Sequence, residues 1–436
     1  MKNTQLPTSI LQTDFYELTM SYAYLRAGKA RQMAGFELFV RNIKNNITEN
    51  KFYTFNVEKK VVKFIESVLK EIKSDDFFDR FWCMIKDKVD TSTYKEVKES
   101  FENIPKTFDY TVLKNNSKIL ANIPVFQYYG PLIFGQILET GITNIINGSV
   151  GLFSNENMSE TEFQKNGIVT EDYKLKLRRK AKEYRMSTSK IIFEAGFRRA
   201  PSFSVAFNAS LIALEEGFSG TSNTSVFNYV NSKYINGTMA HAYILSFEKN
   251  GKPNELEAFK VWNKIFPKST ILIDTYNTVK AVNTLIENDI RPNAVRIDSD
   301  PIESLTKEVR AILDNNGWSE VKIFLSGDIT PEKLKKWNNE KIPFDMCMVG
   351  TKFVNIDNVA NINSGFVYKL VEINNNGQIE YPMKKSKNKS NYKGLKEVCY
   401  NEEENCVYTY IGTDNIGFNG DFSKINNGTN IKRIEK

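Results

Sequence analysis

The sequence predicts an α/β fold, with a barrel-like or doubly wound parallel sheet preceded by an α+β domain. Three observations predict it. From about residue 190 the chain repeats a short apolar strand, a glycine-containing loop and a helix. Each of those strands ends on a charged residue or a glycine, the place where parallel α/β folds keep their active sites. Before that point helices and strands mix without a fixed alternation, the mark of an α+β arrangement. A chain of 436 residues has room for two or three such domains.

In order, the first element is a helix. Asp14 and Glu17 suit an N-cap and N3 pair, Phe15, Leu18, Tyr22 and Leu25 share one face, and Gly28 ends it. Gly35 to Arg41 reads as a strand. Asn56 precedes a helix with the apolar stripe Val57, Val61, Phe64, Ile65, Val68, Leu69 and Ile72, and Asp76 to Lys86 is a third, aromatic-rich helix. Ile119 to Tyr129 is extended, and Pro131 starts an apolar helix through Ile146. The repeating series then runs Ile191–Glu194 with helix Ser202–Glu216, Thr270–Asp274 with Val279–Ile286, and Ala294–Asp298 with Ile302–Leu313. Lys322–Asp328 with Pro331–Trp337 follows, and Asp345–Thr351 closes it. After Gly365 strands return, Phe366–Ile373 and Ile379–Met383, around an Asn-Asn-Asn-Gly turn. Lys384 to Lys393 reads as a basic, solvated loop.

Composition narrows the class. Lys+Arg 59 against Asp+Glu 52 gives +7, a mild excess that favours anionic ligands without demanding nucleic acid. Cys83, Cys347, Cys399 and Cys406 form no C-x-x-C pair, so reduced thiols in a cytoplasmic protein are expected rather than a zinc site or disulfides. No apolar run approaches membrane-spanning length.

The chemistry concentrates between Phe193 and Tyr243. His241 is the only histidine in the chain. Arg198 and Arg199 follow Gly196, and Gly220-Thr221-Ser222-Asn223 forms a turn. Arginine forks match phosphate oxygens, backbone N–H groups at Gly-rich turns add donors, and an imidazole can take a phosphoryl group. A lone histidine also has a plain structural reading, as a satisfied core residue.

These stretches, with Thr13–Met20, Ile273–Thr278, Arg296–Ser299, Ser326–Asp328, Val349–Thr351 and Val367–Glu372, together resemble nicotinate phosphoribosyltransferase. The ordered blocks run from Thr13 to about Glu372. The resemblance implies transfer of phosphoribosyl from phosphoribosyl pyrophosphate (PRPP) to nicotinate in NAD salvage, coupled to ATP hydrolysis through a phosphohistidine. It implies an α+β sandwich domain over residues 1–127, a barrel-like catalytic domain over 128–365, and a segment, 366–436, that completes the sandwich. It also implies a homodimer with shared active sites.

Carried over by residue, His241 resembles the phosphorylated histidine, and Asp298 a catalytic acid near the ribose hydroxyls and Mg²⁺. Asp274 is a second candidate for the metal region; its structural reading is a helix N-cap. Arg198 resembles the clamp on substrate phosphate and ring. Gly327, Asp328, Gly350 and Thr351 resemble the loops that hold the 5′-phosphate. Thr221, Ser222 and Arg296 resemble the surroundings of the nicotinate carboxylate, where the nicotinamide-using sister family has an Asp at the Ser222 position. Tyr16 resembles the aromatic that stacks on the pyridine ring from a partner subunit. The chain departs from the family where Asp300-Pro301 stands in place of Gly-Asp. No P-loop motif is present, so ATP is not expected to sit on one. Two other classes compete. One is a different barrel enzyme acting on a phosphorylated sugar, for which Lys352 is the only lysine near a strand end. The other is a nucleic-acid binder using Lys384–Lys393 and Lys432-Arg433, which lacks any aromatic–glycine RNA-binding motif.

Overall fold

The structure, a computed structural model, describes residues 6–41, 51–54, 56–113, 119, 122–153, 169–356, 365–375, 377–384, 393–401, 406–410 and 429–430. Residues 385–392 of the basic loop and the Lys432-Arg433 pair lie outside the described residues, as do the side chains of Cys399 and Cys406.

Six parallel strands form one sheet: Ile191–Glu194, Gly220–Thr221, Thr270–Leu272, Ala294–Ile297, Lys322–Leu325 and Met346–Val349. Their order across it is Gly220, Ile191, Met346, Lys322, Ala294, Thr270. Read around a circle, that is the order of the chain, opened between the Gly220 and Thr270 strands. A doubly wound sheet reverses its strand order at a switch point; this one does not. The sheet is a curled half-barrel. Its strands read as apolar runs because both faces are covered: Ala294–Ile297 is buried throughout, as are Ile271, Leu272, Ile323, Leu325, Cys347 and Val349.

The helices that follow the strands are capped as their sequences suggest. Ser202 Oγ accepts the Val205 N–H at 3.2 Å ahead of Phe203–Glu215. Thr330 does the same for Pro331–Asn339, whose proline sits in the first turn. Ahead of Thr278–Glu287 the cap is Asn277, which accepts the Lys280 N–H at 2.8 Å. Asp274 is therefore not needed as a cap. Helices Glu171–Ser187 and Glu255–Ile265, which the strand–helix repeat does not require, pack against neighbouring helices.

The second sheet joins the two ends of the chain. It runs Gln378–Glu380, Phe366–Asn375, Met33–Val40, Pro124–Pro131 and Asp109–Val112, with Phe366–Asn375 antiparallel to Met33–Val40. The sandwich is thus built from both termini, as expected. Among the described residues no helix is long and apolar enough to cross a membrane. Cys83 and Cys347 are free thiols.

Helix Leu132–Asn147 is buried along its whole length, yet it is not simply apolar. Gln136, Glu139, Thr140, Asn144 and Asn147 recur at spacings of three and four and form one polar stripe. Asn144 donates to the carbonyls of Phe197 and Ala200, both at 3.0 Å, and Asn147 donates to that of Arg198 at 2.5 Å. The same helix holds the first one. Phe15–Arg26 begins where expected, but the Asp14 side chain makes no capping bond. Its carboxylate accepts the Thr140 hydroxyl at 2.9 Å instead, and Gln136 donates to Glu17 at 2.6 Å. The expected capping box is replaced by tertiary bonds, because both acids are buried and must be satisfied by the neighbouring helix.

Candidate active site

His241 opens the short helix His241–Leu245, which Tyr243 anchors against Trp262 and Tyr24 with ring centroids 4.9 and 5.7 Å apart. The imidazole is thereby set at the carboxyl ends of the parallel strands. Nδ1 lies 3.1 Å from Thr275 Oγ1 and Nε2 lies 2.8 Å from Lys384 Nζ. Two carboxylates stand further out, Asp298 at 3.7 Å and Asp274 at 4.0 Å from Nε2. Burial, then the Lys384 ammonium, lower the ring to about 4 against the opposing pull of Asp274 and Asp298. The imidazole is neutral at physiological pH.

Asp274 and Asp298 are tied to each other and to the next strand. The Asp298 N–H donates to Asp274 Oδ2 at 3.1 Å, and Ser326 donates to Asp298 Oδ1 at 2.7 Å. Gly327 follows at φ +100, where a Cβ would stand 3.2 Å from the Asp298 carbonyl. A Cβ on Gly350 would meet the Ala195 carbonyl at 2.7 Å. The 298, 327 and 350 loops and the Ala195 turn therefore close on one another at the mouth of the half-barrel. Asp328, at φ +40, is exposed, and Thr351 opens the turn Thr351–Val354. At the Asp300-Pro301 departure Asp300 is exposed and Pro301 leads directly into Ile302–Asn315.

Among the described residues no group of three or more His, Cys, Asp or Glu could hold a metal. The pair of aspartates nevertheless fits magnesium. Asp274 Oδ1 is buried with no hydrogen-bond partner among the described residues. One or two carboxylates, completed by substrate phosphates and water, are the usual Mg²⁺ set. The site fits an ion that arrives with a phosphate, not a resident cage.

Arg198 stands in a second cluster, paired with Glu139. The Tyr16 hydroxyl lies 3.4 Å from the same carboxylate, and Tyr16 is 8% exposed. Tyr16, which the resemblance implies to stack on the pyridine ring from a partner subunit, stands beside Glu139 and Arg198 of its own chain. The Phe15 N–H donates to the Ser222 carbonyl at 2.6 Å and to Ser222 Oγ at 3.2 Å. The Ser222 hydroxyl oxygen thus accepts a bond from its own chain. Thr221 is likewise spoken for, donating to Glu194 at 2.6 Å. Arg296 is buried, and its Nε has no partner among the described residues.

Five charged positions in or beside these clusters escaped the sequence reading. Glu139 hides in a helix read as apolar. Arg41, Lys369 and Lys384 come from the sandwich, and all three act electrostatically on this region. The Arg41 guanidinium interacts with Asp298, while burial, then Arg41 and Lys384, push the Lys369 amine well down. Lys384 corrects an expectation outright. It is not a solvated loop cation but is 4% exposed and paired with Asp274 at 3.5 Å.

Glu194 is the fifth. It is fully buried and accepts the Gly196 N–H at 2.5 Å, the Ser210 hydroxyl at 2.7 Å and the Thr221 hydroxyl at 2.6 Å. Burial nonetheless pushes it from its ordinary 4.5 up to about 7. A carboxyl raised on folding contributes stability that is full below 4.5 and lost as pH rises through about 7. Glu194→Gln is expected to remove that part of the fall in melting temperature across the same window. A variant with the slope of the unmodified chain would show that Glu194 is ionised throughout.

No family model matches the chain. Nicotinate phosphoribosyltransferase of Bacillus subtilis (strain 168) is 26% identical over 385 residues, covering 87% of this chain and 70% of the relative. Nicotinate phosphoribosyltransferase pncB2 of Mycobacterium tuberculosis is 26% identical over 401 residues, covering 89% and 74%. The chain resembles nicotinate phosphoribosyltransferase. The resemblance extends to the fold: the crystal structure of nicotinate phosphoribosyltransferase from Porphyromonas gingivalis superposes with a TM-score of 0.63 at 18% identity, covering 88% of this chain and 95% of that one. The likeness spans both the half-barrel and the two-ended sandwich of this chain.

Proposed function

We propose that this chain transfers phosphoribosyl from PRPP to nicotinate, giving nicotinate mononucleotide and pyrophosphate, and couples the transfer to ATP hydrolysis through His241. The observation that carries the reading is the state of the sole histidine. It is neutral and held between Thr275 and Lys384, with Asp274 and Asp298 beside it at the strand ends. The names of the relatives supply the substrate class.

The coupling step forms a bond from an imidazole nitrogen to the γ-phosphorus of ATP and breaks the bond to the bridging oxygen, with ADP leaving on the electron pair. A neutral ring needs no proton removed before it attacks. In the transfer step the pyridine nitrogen of nicotinate bonds to C1 of the ribose as the C1–oxygen bond breaks, and pyrophosphate carries away the electrons. Arg41, Lys384, Arg198 and Arg199 supply the positive field that such polyanions require. Gly327-Asp328 and Gly350-Thr351 provide close backbone approach for the 5′-phosphate. Asp274 and Asp298 are the groups to hold Mg²⁺, which when bound neutralises charge on a leaving phosphate. Arg296, with an unpartnered Nε, offers a charge-assisted bond to the nicotinate carboxylate.

The test is product formation from PRPP with nicotinate or nicotinamide, with and without ATP. Nicotinate is expected to be preferred by about a hundredfold or more, since an arginine left unpaired by the amide costs several kcal/mol. Equal use of nicotinamide with PRPP saturating would sink the specificity, and no pyrophosphate release from either would sink the reaction. The alternative barrel chemistry gains nothing: Lys352, its candidate amine, is exposed.

A further inference from the structure

Lys384 belongs to the C-terminal segment, yet its ammonium is buried in the half-barrel site. Both flanks of the segment are fastened. Before it, Glu380 accepts the Asn250 and Gly251 N–H groups at 2.6 and 2.8 Å. Beyond it, the Leu395 N–H donates to Glu372 at 3.0 Å and the Lys396 ammonium pairs with Glu37 inside the sandwich. From that base Lys384 Nζ reaches, among the described residues, His241 Nε2 at 2.8 Å, Ser299 Oγ at 2.8 Å and Asp274 Oδ2 at 3.5 Å. An ammonium has three N–H donors and no acceptor. Nε2 must therefore be the unprotonated nitrogen of the neutral ring. Nδ1 then carries the proton, and Thr275 Oγ1 at 3.1 Å is its acceptor.

We infer that Lys384 is the positioning residue of this site, holding His241 in the Nδ1–H tautomer with the Nε2 lone pair accepting from its ammonium, beside Asp274 and Asp298. Without the ammonium the preference reverses, because the two carboxylates at 3.7 and 4.0 Å attract an Nε2–H. The consequence for coupling rests on the function proposed above: only the tautomer that Lys384 selects presents a lone pair to the phosphate of a nucleotide in the cleft. As the ring nitrogen takes the phosphoryl group, the ammonium passes from the nitrogen to the phosphoryl oxygens. The sandwich thereby governs a nucleophile carried by the half-barrel.

A single histidine makes the inference directly measurable. In the full chain labelled with ¹⁵N-histidine, one pair of ring nitrogens gives the whole signal. At neutral pH the unmodified chain is expected to show a protonated Nδ1 and an unprotonated Nε2. Lys384→Met should move the proton to Nε2, and Lys384→Arg, which keeps a donor, should leave it on Nδ1. A protonated Nε2 in the unmodified chain overturns the inference with no variant required. So does Lys384→Met that keeps its melting transition and the Nδ1–H form. Labelling of the chain by γ-labelled ATP reads the consequence, and Lys384→Met is expected to lose about a hundredfold or more in rate, as histidines in the wrong tautomer do. Absence of labelling in the unmodified chain, with the tautomer as expected, would refute the phosphohistidine and leave the positioning role standing.

Discussion

His241→Ala is expected to carry no acid-labile, alkali-stable phosphate after incubation with γ-labelled ATP, while product still forms slowly from PRPP and nicotinate. The expectation follows from how the proposed roles divide among side chains. Arg198 is held by Glu139, the 327 and 350 loops close through backbone, and Arg296 sits on a strand; none depends on the imidazole. Lys384 keeps Ser299 and Asp274 when the ring is removed, so the cavity is not left with a buried, unpaired ammonium. The labelling loss should be complete within detection, because no other histidine exists to substitute. ATP consumption should become independent of product formation, and the apparent KM for PRPP and for nicotinate should rise. ATP hydrolysis that still kept step with product in His241→Ala would end the phosphohistidine reading.

What the sequence disclosed follows a physical division. The half-barrel was legible because parallel strands buried on both faces leave continuous apolar runs, and their polar ends mark the site: Asp274, Asp298, Gly327 and Gly350 lie where expected. Strand order was not legible from the runs alone, since barrel and doubly wound sheets share them, and only the pairing of Met346–Val349 with Ile191–Glu194 decides it. The first helix was located correctly but its cap was not, because Asp14 and Glu17 satisfy a capping pattern and a tertiary one equally well, and burial selects the second. The intrachain partners of Thr221 and Ser222 were not legible: Thr221 donates to Glu194, and Ser222 Oγ accepts the Phe15 N–H. Lys384 was misread for a deeper reason. A lysine among lysines has no local mark of burial, and its partners lie more than eighty residues away in the chain.

Lys396→Met is expected to be among the most destabilising single changes in the chain, at about 3–5 kcal/mol, because it leaves the Glu37 carboxylate buried without its counter-charge. The pair is almost wholly shielded from solvent, with side chains 0% and 1% exposed. Glu37 Oε1 also accepts the Lys396 N–H at 2.9 Å and Gln127 Nε2 at 2.9 Å, so the carboxylate cannot turn away to water. Burial already raises Glu37 above its ordinary value, with Lys396 opposing. Removing the ammonium lets the folded-state value climb further. A raised carboxyl contributes stability only while protonated, so the deficit of Lys396→Met should be small in mild acid and deepen as pH rises through the folded value. Chemical denaturation at several pH values reads this directly. Adding Glu37→Gln to Lys396→Met should recover most of the loss, since the amide oxygen can still accept from Gln127 and the Lys396 N–H without a charge to desolvate. A deficit that did not depend on pH, or a double variant no better than the single one, would place the cost in packing rather than in the unpaired carboxylate. Because the pair fastens the base of the segment that carries Lys384, the single variant should also label His241 more slowly at a temperature where it remains folded, and the double variant should regain that rate together with its stability.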